Sequence, residues 1–88
     1  MNNLESLRKK LDLHSSWPMN YMFKFIVPAQ MDKIARVEAL FSNEAIITRN
    51  ESKNGKFVSI SARQRMESSD QIIRVYEKAS GIDKILAL

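Results

Sequence analysis

Between the only two prolines of the chain, Pro18 and Pro28, the sequence reads Met19-Asn20-Tyr21-Met22-Phe23-Lys24-Phe25-Ile26-Val27. No other stretch restricts the fold as tightly. Side chains of a strand alternate, so Tyr21, Phe23, Phe25 and Val27 share one face and Met22, Lys24 and Ile26 the other. The aromatic face has the larger apolar area and no charge, so it belongs against a core. Met19–Val27 is therefore expected as a strand. Trp17-Pro18 imposes an extended approach to it. Pro28 stops it and suits the first turn of a following helix.

The rest of the chain supplies partners for that strand. Residues 29–41 read as a helix, with Met31, Ile34, Val37 or Glu38, and Phe41 on one side, Leu40 widening the stripe, and Ser42-Asn43 ending it. Residues 44–51 and 56–65 read as two strands joined through Asn54-Gly55, a hairpin signal because both residues tolerate positive φ. In the second of these, Val58, Ile60 and Ala62 should face the core, and Phe57, Ser59, Ser61 and Arg63 the opposite side. Residues 68–80 form a second helix. Ser68-x-x-Gln71 is a capping box, and Ile72, Ile73, Val75, Tyr76 and Ala79 give its buried face. Gly81 stands where a left-handed C-cap is expected. Residues 82–88 read as a final strand whose two faces, Ile85/Ala87 and Leu86/Leu88, compete for the core. Ahead of all this, residues 2–13 form an amphipathic helix with Leu4, Leu7 and Leu11 in one stripe and Asn2 and Glu5 as capping pair.

The element order predicts an α+β fold, a ferredoxin-like β-α-β-β-α-β sandwich. It has a four-stranded antiparallel sheet with two helices on one face, plus the N-terminal helix. At 88 residues the chain is one such domain, residues 17–88, preceded by the helix and connector of residues 1–16. It has no cysteine, which removes disulfides, thiolate metal sites and cysteine nucleophiles together. No leader-like or membrane-spanning apolar run is visible, and a cytoplasmic location is expected.

Specific residues also resemble a known family. Trp17 to Ile26 is similar to the first strand of the YbeD-like family, an aromatic-Pro pair followed by aromatics around a Lys-hydrophobic step. Ser52-Lys53-Asn54-Gly55-Lys56-Phe57-Val58-Ser59-Ile60 resembles its hairpin, and Gln71 to Tyr76 its second helix. The likeness covers residues 17–88. These are small bacterial proteins of unknown function, often labelled "proposed lipoate regulatory protein". The resemblance implies a ferredoxin-like fold related to ACT-type regulatory domains, with no established ligand. The family usually has glycine just after the first strand, where this chain has Val27-Pro28. Proline lacks an amide donor, so a backbone anion site in that loop is not expected.

Chemistry-bearing residues are sparse. His14 is the only histidine and lies in a helix-exit segment beside Ser15 and Ser16. Asp32, Glu38, Asp70 and Glu77 read as solvated helix charges, and Glu44 and Glu51 as guards of an edge strand. Gly55 and Gly81 are the only glycines, so there is no phosphate-binding loop. No catalytic, cofactor-binding or metal residue is assigned, and no enzymatic activity is expected. The net charge of +4 admits an acidic partner. Nucleic acid is nevertheless not expected, because Phe57 alone among the aromatics turns to the open side, and modules of this order stack bases on two or three.

The sheet face away from the helices is the expected interaction surface: Met22, Lys24, Ile26, Phe57, Ser59, Ser61 and Arg63, with some of Ile85 and Ala87. Its cover would be the N-terminal helix folded back, a second copy of the chain, a partner protein or an unnamed small molecule. The leading expectation is a non-enzymatic, ACT-like regulatory or interaction domain. The alternative is a nucleic-acid-binding module of the same fold.

Overall fold

The computed structural model describes residues 3–88. Three helices and four strands follow in the order α1 (Leu4–His14), β1 (Met19–Pro28), α2 (Met31–Glu38), β2 (Ile46–Glu51), β3 (Phe57–Met66), α3 (Ser69–Ala79) and β4 (Leu86–Ala87). The strands form one antiparallel sheet in the order β2-β3-β1-β4. This is the ferredoxin-like arrangement with an added N-terminal helix.

The alternation in β1 decides which way the sheet faces. Phe23, Phe25 and Val27 are fully buried, with Tyr21 half-buried beside them. They pair with Ala62, Ile60 and Val58 of β3, which are also buried. Onto this surface α3 lays Ile72, Ile73, Val75, Tyr76 and Ala79, and α2 lays Val37. The rings of Tyr21, Phe23, Phe25, Phe41 and Tyr76 form one cluster, with Phe23 at 4.7–6.3 Å from each of the others. Such spacing adds edge-to-face attraction to area burial.

Helix α3 starts as its sequence directs. Ser68 caps it by accepting from the Gln71 amide at 3.3 Å. Gln71 reaches back one residue further than a capping box requires, to the Glu67 amide at 2.9 Å. The β2–β3 hairpin differs from the expected turn. Only Gly55 has positive φ. The loop is built on a turn closed by the Gly55 amide to the Ser52 carbonyl, 2.9 Å. The Ser52 hydroxyl donates to Asn54 Oδ1 and accepts from the Phe57 amide, so side chains replace the second left-handed residue.

Other expectations are corrected. Helix α2 covers Met31–Glu38 rather than residues 29–41, and Met31 is exposed rather than core. Leu40 and Phe41 still pack inward, but from the turn after the helix. Strand β2 begins at Ile46 instead of residue 44, and β3 is shifted by one residue. Gly81 is not left-handed; the chain reverses at Lys84, φ 62°. The last strand is two residues, with Ile82 already buried in the core before it. The Asn2 cap lies outside the described residues, and Asn3 occupies the N-cap without a side-chain bond.

Helix α1 does not cover the open sheet face. Its stripe turns to the helical layer: Leu11 is buried in the common core, with Leu4 and Leu7 partly buried against it. Asp12 accepts from the Ser69 hydroxyl at 2.6 Å, and Arg8 pairs with Asp70, which fixes α1 along α3. The hydrogen bond from Arg8, then its charge, holds the Asp70 carboxyl below the ordinary carboxylate range. A depressed folded-state pKa supports stability above the unfolded value of 3.8, and that support is lost as pH falls through the folded value. Asp70→Asn is thus expected to lower amide-exchange protection across Leu4–His14 at neutral pH. Wild type should lose the same protection only in acid below about pH 4. Unchanged protection in the variant would mean that the leucine stripe holds α1 by itself.

Candidate functional site: the open face of the sheet

All three helices pack on one side, so among the described residues no element covers the other side of the sheet. Register defines its rows. Across the sheet, Ile46 of β2 lies beside Arg63 of β3 and Met22 of β1. Thr48, Ser61 and Lys24 form the next row, then Asn50, Ser59, Ile26 and Leu86. Phe57 sits opposite Pro28 at the end. The seven residues expected on this face, Met22, Lys24, Ile26, Phe57, Ser59, Ser61 and Arg63, are therefore brought together there. Met22 and Phe57 are 51% and 46% exposed, half-open positions from which a partner can remove apolar area.

The last strand is a correction. Ile85 and Ala87 turn toward the core, and Leu86 and Leu88 are exposed. The pairing of Leu86 with Ile26 puts it on the open face. Sequence reasoning also missed Ile46, Thr48 and Asn50, because β2 has no buried residue to reveal its facing by alternation. Only its register against β3 shows which side they occupy.

Geometry gives the face a shallow relief. Met22, Ile46, Thr48, Ser61 and Arg63 line a depression of about 240 Å³. A neighbouring one of about 220 Å³ is bounded by Asn20, Arg63, Gln64, Arg65, Ser42, Glu44 and Ile46. Gln64 accepts there from the Ser42 amide at 2.8 Å, which ties the loop before β2 to β3. Both depressions share Arg63. Arg65 holds Glu67 at 3.2 Å.

Acids expected to be solvated are partly engaged elsewhere. Glu38 receives both nitrogens of the Arg49 fork, at 2.5 and 3.0 Å, on the helix side. Asp70 is taken by Arg8. His14 ends α1 and is exposed. Among the described residues no group of three or more His, Asp or Glu is placed to hold a metal ion. No helix among them is long and apolar enough to cross a membrane.

One polar pair lies inside the aromatic cluster. The hydroxyls of Tyr21 and Tyr76 meet at 3.0 Å. Burial first, then the bond to Tyr21, pushes the Tyr76 hydroxyl well above its ordinary value of 10.0. The unfolded chain releases this proton near pH 10 and the folded chain does not, so folding stability should fall as pH rises past 10. In Tyr21→Phe, which leaves Tyr76 as the sole tyrosine, phenolate absorbance should appear together with unfolding. Ionisation near pH 10 in the folded state would contradict the burial of that hydroxyl.

A family model, described as Protein of unknown function (DUF493), matches residues 13–88. That span contains the whole sheet, α2, α3 and the connector before β1. No curated protein and no solved structure matches the chain.

Proposed function

Because the chain belongs to the family described as Protein of unknown function (DUF493), a function must be read from its own surfaces, and we propose that it is a non-enzymatic, ACT-like interaction or regulatory domain that works by contact of its open sheet face with a partner protein. The observation that supports this most is the position of α1. The one element of the chain free to cover the face packs on α3 instead. Met22, Ile46, Phe57 and Leu86 thereby stay exposed on one surface. Strands of ten, six, ten and two residues, about 4.8 Å apart and rising ~3.3 Å per residue, give roughly 450 Å² of face. That is about half of the ~800 Å² per partner of a standard interface and suits a single docked segment.

Nucleic acid is the less supported occupant. Lys24 and Arg63 suit phosphates, but Phe57 is the only aromatic facing outward on the strands. One stacking residue contributes about 1–3 kcal/mol. The test is a photoreactive aromatic residue placed at Phe57 in living cells, with the same residue at Met31 on the helix side as control. A protein adduct from position 57 and none from position 31 is the expected result. A nucleic-acid adduct from position 57 would select the other occupant. No adduct, or equal adducts at both positions, would overturn the proposal.

A further inference from the structure

Along β3 the open face changes chemically from one end to the other. Outward positions along β3 run Phe57, Ser59, Ser61, Arg63, from apolar to basic. On β1, Ile26 lies opposite Ser59 and Lys24 opposite Ser61, and Met22 opposite Arg63 places an apolar side chain beside the guanidinium. Leu86 beside Ile26 extends the apolar end. Phe57 and Arg63 are six residues apart on one strand, about 20 Å at ~3.3 Å per residue.

The charged residues at the outward positions of the four strands have one sign. The chain has ten acidic residues, yet no outward position of the four strands carries one. Two acids border the face from outside the strands, Glu44 at the depression with Arg63 and Glu67 paired with Arg65. Among the described residues neither Lys24 nor Arg63 has an acid within ion-pair distance. Covering these two cations without a counter-charge would leave them desolvated and unpaired, a costly outcome.

Resting on the interaction reading above, we infer that the occupant is a protein segment carrying clustered carboxylates about 20 Å from an aliphatic or aromatic anchor. The anchor covers Phe57, Ile26 and Leu86, and the carboxylates meet Arg63 at the far end and, nearer the anchor, Lys24, two residues from Ile26 on β1. Complementary charge of this kind sets register and speeds encounter. A second copy of the chain fits poorly. Laid together, the outward strand positions of two such faces offer Lys24 and Arg63 only cations, neutral polar groups and apolar side chains, the acids Glu44 and Glu67 lying at the border.

The probe is a synthetic peptide with a Glu cluster about six residues from a Leu-Trp pair, matching the spacing along β3. Its counterpart has Lys in place of Glu. Each is titrated into the full chain while backbone amide signals are followed. The Glu peptide should shift Ser59, Ser61 and Arg63, and the Lys peptide should not. Lys24→Glu with Arg63→Glu should weaken the Glu peptide by roughly two- to thirtyfold, the loss of two surface-strength charge pairs. Equal response to both peptides, no response to the Glu peptide, or indifference to the double reversal would overturn the inference. So would tighter binding of phosphatidylglycerol vesicles or oligouridine by the same face. A protein adduct from position 57 combined with any of these results would leave the interaction reading standing and remove only the acidic partner.

Discussion

Phe23→Ala is expected to cost about 3–5 kcal/mol of folding stability. Phe23 is fully buried at the centre of β1, with four aromatic neighbours from β1, the turn after α2, and α3. Truncation removes the ring from both layers at once and leaves a cavity that a sheet pinned by ten paired positions of β1 and β3 cannot close. A domain of 88 residues has roughly 4–13 kcal/mol in total. The variant should therefore melt lower by about 12–40 °C, or not fold at all, when followed by circular dichroism. A loss under about 1 kcal/mol would mean that the inward face of β1 has been misassigned.

Phe57→Glu should do the opposite. Phe57 is half-exposed on the other face, and its two backbone bonds, to the Ser52 hydroxyl and from the Ser52 amide, do not involve the ring. Stability should change by about 1 kcal/mol or less. Affinity for a partner on the face should fall by about 2 kcal/mol or more, some thirtyfold, because the aromatic anchor at the apolar end becomes a carboxylate beside apolar neighbours. The contrast between these two phenylalanines, on adjacent strands but on opposite faces of the sheet, separates the role of each face. Unfolding of Phe57→Glu would place that ring inside. Unchanged affinity would remove the face from the site.

The sheet was legible wherever burial alternates. In β1 and β3 every second residue meets the helices, so the sequence period of two carries the facing directly. It failed where alternation carries no such information. β4 has apolar residues on both sides, and only its pairing of Leu86 with Ile26 assigns them. β2 is exposed along nearly all its length. The end of α2 was misread because an apolar stripe need not stop where a helix stops: Phe41 reaches Phe23 at 5.2 Å from a turn. Glycine at position 81 suggested a left-handed cap, yet the chain reverses at Lys84, three residues on. Long-range polar contacts were not visible at all. Arg8 and Asp70, or Tyr21 and Tyr76, are more than fifty positions apart, and nothing local marks them as partners.

The placement of α1 matters most for function, and it too is a tertiary property. Leu4, Leu7 and Leu11 specify a helix with one apolar side without specifying which surface receives it. Two orientations were open, over the bare sheet or along α3. The choice of α3, secured by Asp12–Ser69 and Arg8–Asp70, is what leaves a mixed apolar and basic surface uncovered.

Two methionines give the most direct test of that surface. Met22 lies on the open face at 51% exposure, and Met31 on α2 is 88% exposed on the other side. Both should oxidise readily to sulfoxide in the purified protein. In intact cells, brief oxidant exposure followed by mass spectrometry should find Met22 protected and Met31 oxidised as before. Equal oxidation of Met22 in both settings would show the face bare in the cell and would contradict the account.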